Sequence, residues 1–210
     1  MYLFTRTSTV EMARALEAVE FATDIAAYVT KSTDLELHVW TAAYGNPGTL
    51  TWSSLVESPA AMMKTSERLL ADPEYLSRIG EAAGLFTSAP DDNITQIVGA
   101  AGPPNAGASN FVAVLTAGCA VGRFAEAMAW GVDIMNYVAE LTGTSIAFVR
   151  SVYGEVGTVG WVTSVDTMEE LDVADAALAA DPGYLERLGQ TGEFFIAGSS
   201  HRILSRRLDG

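Results

Sequence analysis

The amino-acid sequence predicts an α+β protein built from two tandem ferredoxin-like repeats, each running β-α-β-β-α-β. Three observations carry that prediction. The stretch YGNPGTLTW at Tyr44–Trp52 returns as YGEVGTVGW at Tyr153–Trp161, an offset of 109 residues. At the same offset, with no gap, Arg14–Phe86 matches Arg123–Phe195 at 23 of 73 positions, where chance at globular composition gives roughly 4 to 6. Within each copy, strand-like and helix-like segments follow one another in the same order. The period is too long, and two copies are too few, for a solenoid. The repeats are assigned to 1–98 and 110–210, joined by a Gly-, Pro- and Ala-rich linker over 99–109.

Each element has a local reason. A short strand opens each copy, Tyr2–Thr7 and Phe111–Thr116. A long helix follows, Val10–Thr30 and Cys119–Leu141. Ala15, Val19, Ala22, Ile25 and Val29 recur along the first at helical spacing, and Phe124, Met128, Gly131, Ile134 and Val138 along the second. Next come two strands in each copy, Leu35–Tyr44 with Thr49–Val56, and Thr144–Tyr153 with Thr158–Val165. The turns Gly45–Gly48 and Gly154–Gly157 make each pair a hairpin. A second helical region is broken at Asp72-Pro73 and Asp181-Pro182. There Asp caps a new helix, and Pro at its first position gives up an N–H that has no helical partner anyway. The last strands are Asn93–Val98 and Phe195–Leu204. A sheet with helices on one face leaves its other face bare, and duplication supplies a second sheet to cover it.

Composition narrows the function classes. With 12 basic and 26 acidic residues the formal charge is −14, a field that repels nucleic acid and anionic membrane surfaces. Cys119 is the only cysteine, so neither an internal disulfide nor a multi-cysteine metal site is expected. No signal-like segment opens the chain and no apolar run reaches spanning length, so a cytoplasmic protein is expected. There is no phosphate-binding P-loop, dinucleotide fingerprint or nucleophile elbow. The glycine-rich 99–109 segment precedes a strand, not a helix N-terminus that would hold a phosphate. Two histidines far apart argue against a His-rich metal site, a carboxylate site stays open, and the leading expectation is no metal and no cofactor.

Candidate site residues come from strand alternation. Along 35–44, Leu35, Leu37, Val39 and Ala43 form an apolar set assigned to the helices. The alternate set is Glu36, His38, Trp40, Ala42 and Tyr44, against Ser145, Ala147, Val149, Ser151 and Tyr153 in the second copy. One copy offers large functional groups, and the other offers small residues that leave room. His38 is the candidate general base, as a side chain of the type that exchanges protons near neutral pH. Trp40, Tyr44, Tyr153, Arg150 and Ser151 are candidate substrate contacts. A four-residue hairpin loop turns Trp52 and Trp161 toward the helices, and a change of one residue reverses them; Leu50 and Val56 favour the helix side. Arg6 is either an anion anchor or a charge at a solvated strand end, and its counterpart Leu115 shows that the fold does not require it. Arg14, Glu17, Asp24 and Tyr28 recur as Arg123, Glu126, Asp133 and Tyr137, which points to a shared structural task such as ion pairs across the pseudo-two-fold.

The unit order, the Gly-Thr-x-x-Trp opening the third strand (Gly48, Thr49, Trp52; Gly157, Thr158, Trp161) and the ADPxYLxRxG segment resemble the dimeric α+β barrel superfamily. The nearest likeness is a NIPSNAP-like or antibiotic-biosynthesis-monooxygenase-like unit in tandem. The resemblance implies a dimeric α+β barrel, formed within one chain or by pairing two chains as a homodimer. It also implies a range of chemistry: cofactor-free monooxygenases, isomerases, polyketide cyclases, haem enzymes and non-catalytic members. The leading expectation is an enzyme without an organic cofactor that oxygenates, isomerises or cyclises a small apolar, aromatic or polyketide-like substrate, with His38 moving a proton. The alternative is a non-catalytic ligand-binding or assembly module, and a haem enzyme stands third.

Overall fold

A computed structural model describes residues 1–104 and 109–209. The chain divides into two compact units, Met1–Gln96 together with the chain end from Arg206, and Ile97–Ser205. The expected linker falls partly outside the described residues, at 105–108.

In the first unit, β1 (Tyr2–Thr9) is followed by a 3-10 turn (Met12–Arg14) and α1 (Ala15–Ser32). Then come β2 (His38–Tyr44), β3 (Thr49–Val56), α2 (Pro59–Leu70), α3 (Pro73–Gly80) and the start of β4 (Asp91–Ala101). The strands are antiparallel in the order β4-β1-β3-β2. This is the ferredoxin-like arrangement, in which two split β-α-β halves interleave.

The second unit repeats it with β5 (Phe111–Gly118), α4 (Phe124–Thr142), β6 (Ser145–Tyr153), β7 (Thr158–Val165), α5 (Met168–Ala180), α6 (Pro182–Gly189) and β8 (His201–Arg207). Its order is β8-β5-β7-β6. The hairpin registers obey the repeat: Val39 lies opposite Trp52, and Phe148 opposite Trp161.

The helix starts use the same kinds of cap in the two copies. Ser58 and Thr167 cap α2 and α5 by accepting from Ala61 N–H and Glu170 N–H. Asp72 and Asp181 cap α3 and α6, with Pro at the first turn. The same carboxylates also accept from Tyr28 Oη at 2.5 Å and Tyr137 Oη at 2.6 Å. One residue therefore starts a helix and fastens it to the long helix of its repeat. Arg78 and Arg187 lie over the Tyr28 and Tyr137 rings, and Arg14 and Arg123 pair with Glu17 and Glu126. The recurring charges act inside each copy, where ion pairs across the pseudo-two-fold were expected.

Several boundaries differ from the sequence prediction, and four of the shifts have a clear local setting. The long helices start later, because Val10 N–H and Cys119 N–H bond to the hairpin carbonyls of Gly48 and Gly157. Strand β2 starts at His38, since Leu35 N–H and Leu37 N–H are taken by the Thr33 and Thr30 hydroxyls. The final strand of the second copy starts at His201; Phe195 makes an isolated bridge to Cys119 and is buried in the core. Strand β4 continues through Gly99, Ala100 and Ala101 before the turn at Gly102. Gly102 has φ +87°, and a Cβ there would come within 2.1 Å of the Thr144 carbonyl oxygen, so a side chain is excluded.

Candidate functional site

Strand alternation sends Phe4, Arg6 and Ser8 of β1 to the side where α1 packs. Phe4 and Ser8 are buried, and Arg6 sits directly opposite Trp52 of β3. Trp52 is buried and its Nε1 donates to the Ala22 carbonyl at 3.0 Å, which fixes the indole against α1. Phe86 bridges the two by edge-to-face contacts, 5.9 Å to Trp52 and 5.9 Å to Phe21.

The helices do not close down onto this floor. A cavity of about 640 Å³ remains in the first repeat, within the range of small-molecule pockets, roughly 300–1,000 Å³. The strand residues above form its floor, Ile25 and Val29 of α1 one wall, and Met62, Ser66 and Leu69 of α2 and Tyr75 and Ile79 of α3 the opposite wall. Leu70, Gly80, Ala83, Ser88 and Pro90 also line it and are exposed, which places its mouth beside the 81–90 segment.

Few polar groups line it: Arg6, Ser8, Ser66, Tyr75 and Ser88. Arg6 holds Asp92 with a two-pronged ion pair, Nε to Oδ1 and Nη2 to Oδ2, both 2.7 Å. The hydrogen bond to Asp92 outweighs the opposing effect of burial, and with the nearby Tyr75 it raises the guanidinium above its ordinary value. Arg6 is therefore a permanent cation, 39% exposed, at the polar end of an apolar chamber.

The second repeat replaces this chemistry. Leu115 stands for Arg6, Ala117 for Ser8, Trp130 for Phe21 and Phe148 for Val39. Trp130 packs on Trp161 at 5.8 Å and Phe195 at 5.5 Å, and Phe148 packs on Trp161 at 5.2 Å. Rings occupy the helix–sheet layer there, and the ionic pair is missing from the corresponding strand.

The six sequence-predicted site residues lie elsewhere, and none lines the cavity. Val39 faces α1, so His38 and Trp40 occupy the other face of β2. Their ring centroids are 6.4 Å apart, and Trp40 Nε1 donates to Ser53 Oγ at 2.8 Å. His38 Nδ1 lies 3.1 Å from Asp209 Oδ2, while Asp209 Oδ1 accepts from Val39 N–H. Burial alone would raise the Asp209 carboxyl, but bonds from Arg207, Val39 N–H and His38 hold it down to about 2. An ionised carboxylate can only accept, so His38 Nδ1 donates in this bond, while Nε2 lies 3.6 Å from Glu36 Oε1.

Tyr44 lies at the hairpin end of β2, 71% exposed. Arg150, Ser151 and Tyr153 belong to β6 of the second unit; Ser151 Oγ donates to the Tyr153 carbonyl at 3.4 Å, and Tyr153 is 58% exposed. Trp52 and Trp161 face the helices, Trp161 Nε1 donating to the Gly131 carbonyl at 3.0 Å. Sequence reasoning had singled out Arg6 through its unmatched counterpart, but passed over Ser8, Ser66 and Tyr75. Tyr75 recurs as Tyr184 in the ADPxYL segment and so reads as a structural residue. Among the described residues no cluster of three or more His, Cys, Asp or Glu side chains is arranged to hold a metal ion, and no helix is long and apolar enough to cross a membrane.

No family model matches the chain, and no curated protein matches it. Solved structures do. A candidate monooxygenase from Fusobacterium nucleatum superposes with a TM-score of 0.75 at 9% identity, covering 99% of this chain and 92% of that one. An anthrone oxidase-like protein gives 0.69 at 11% identity, covering 99% and 91%. A major regulator of staphylococcal pathogenesis gives 0.61 at 8% identity, covering 99% of each. Proteins named for oxidation and for regulation share this architecture, so it does not fix the chemistry. What these likenesses establish is the fold alone: a tandem ferredoxin-like α+β chain.

Proposed function

We propose that this protein binds a small, largely apolar molecule in the cavity of its first repeat, and that the second repeat serves as its structural counterpart. The observation that carries this is the difference between the copies: a chamber of about 640 Å³ with an Arg–Asp pair in one, and, in the other, Leu115 at the place of Arg6 with the bulkier Trp130 and Phe148 in the helix–sheet layer. A purely structural duplication has no reason to leave such an apolar recess unfilled, since protein interiors otherwise pack closely. The test is the native mass of freshly purified protein against its denatured mass, followed by uptake from a panel of apolar small molecules. Mass lost on denaturation, or stoichiometric uptake, is the expected result. Neither retained mass nor uptake overturns the proposal.

A second reading makes the protein an enzyme that oxygenates, isomerises or cyclises such a molecule without an organic cofactor. The His38–Asp209 pair favours it, because a carboxylate at Nδ1 holds the imidazole in one orientation, as a proton-transferring histidine requires. That chemistry would sit on the other face of β2 from the cavity, beside Trp40. On this reading His38→Ala abolishes turnover and leaves folding intact, and unchanged turnover removes His38 from the mechanism.

A further inference from the structure

Resting on the cavity reading above, we infer that the Arg6–Asp92 pair selects an uncharged ligand with one hydrogen-bond-accepting oxygen, such as a ketone, over the corresponding carboxylate. An arginine beside an apolar chamber ordinarily suggests an anion site. Three observations point the other way.

Asp92 engages Arg6 through two bonds of 2.7 Å, so the charge facing the cavity is already balanced locally. The fork uses two of the five guanidinium N–H donors and Tyr75 also bonds the group, so donors remain without a net positive field. A carboxylate reaching Arg6 would meet Asp92 on the same group, within a chain of formal charge −14. A ketone oxygen accepts from Arg6 with no such repulsion, while its chain lies along Phe4, Ile25 and Ile79. Arg6 and Asp92 are 39% and 46% exposed. The polar end of the ligand therefore sits at a partly hydrated position and its apolar part in the enclosed one, so neither end is desolvated without compensation.

The test titrates wild type, Arg6→Leu and Asp92→Asn with 2-undecanone and with undecanoate, following the heat of binding. Leu is the residue the second repeat carries at the matching position, Leu115, and Arg6 is partly exposed, so the substitution suits the fold. Wild type should bind the ketone at least about ten-fold more tightly than the carboxylate. Asp92→Asn should narrow or reverse that ratio by uncovering the Arg6 charge, and Arg6→Leu should weaken ketone binding by about ten-fold. Equal or tighter undecanoate binding by wild type overturns the inference and leaves the cavity reading intact. So does a ratio unchanged in Asp92→Asn. Binding of neither probe overturns both.

Discussion

Trp52 Nε1 donates to the carbonyl of Ala22, and Trp161 Nε1 donates to the carbonyl of Gly131, each at 3.0 Å and each across thirty residues of chain. The two indoles hold strand to helix identically, yet their surroundings differ. Trp161 touches Trp130, Phe148 and Phe195, whereas Trp52 touches Phe86 and borders the cavity. Trp161→Phe should therefore cost about 2–4 kcal/mol, since it loses the bond and opens a hole in packed rings. Trp52→Phe should cost about 1–2 kcal/mol, because the lost volume merges with space already open. Urea unfolding of both variants decides it; equal or reversed costs would contradict the packing difference.

Gly131 and Phe148 form a matched pair. A Cβ on Gly131 would lie 2.2 Å from Phe148 Cζ. The first repeat has the complementary solution, Ala22 with Val39. Gly131→Ala should destabilise by about 1–3 kcal/mol through overpacking, even though alanine is the better helix former. The double variant Gly131→Ala/Phe148→Val should recover much of that loss by installing the first-repeat pair. A stabilised Gly131→Ala single variant, read from the thermal midpoint, would refute the contact.

The chain end carries a pH-dependent tether. Asp209 is held down to about 2, below its ordinary value near 4. A depressed carboxylate adds stability that is complete above its unfolded value and is lost as pH falls through its folded value. The tether should thus be intact at pH 5 and above and released between about pH 4 and about pH 2. Its reporter is the Leu208 amide, which bonds to the Val39 carbonyl at 2.8 Å. Hydrogen exchange at Leu208, corrected for the intrinsic pH dependence, should lose protection across that window. Asp209→Asn should expose Leu208 at neutral pH, and full protection of Leu208 in that variant would contradict the tether.

Much of this architecture was legible because its signals are local or repeated. The Asp-Pro caps, the hairpin glycines and the 109-residue offset each act through neighbours in sequence or through direct comparison of the copies. The orientation of Trp52 was also readable. Val39 pairs with Trp52, two residues from the register a four-residue loop would give, and a shift of two leaves the side-chain face unchanged. The start of β2 was not readable, because apolar alternation continues into Leu35 and Leu37 while threonine hydroxyls claim their amides. The cavity was hidden for a different reason. It is volume that ordinary residues on two strands and three helices fail to fill, and no motif marks it. Its traces in the sequence were the lone Arg6, with Leu115 at the matching position, and Phe21 where the second copy carries the larger Trp130. A second asymmetry between the copies, His38 and Trp40 against Ala147 and Val149, lies on the opposite face of β2, away from the cavity.

The most direct measurement is calorimetric titration of an apolar ketone into wild type and into variants that fill one layer or the other. Ile25→Phe and Ser66→Phe place rings in the first-repeat cavity from two different helices. Ile134→Phe makes the matching change to Ile25→Phe in the second repeat, where the core is already ring-filled. Binding by wild type, weakened at least about ten-fold by each first-repeat variant and unchanged in a folded Ile134→Phe, is the predicted result. Undiminished binding in both first-repeat variants, or no binding by wild type, would contradict the assignment of the site to the first repeat.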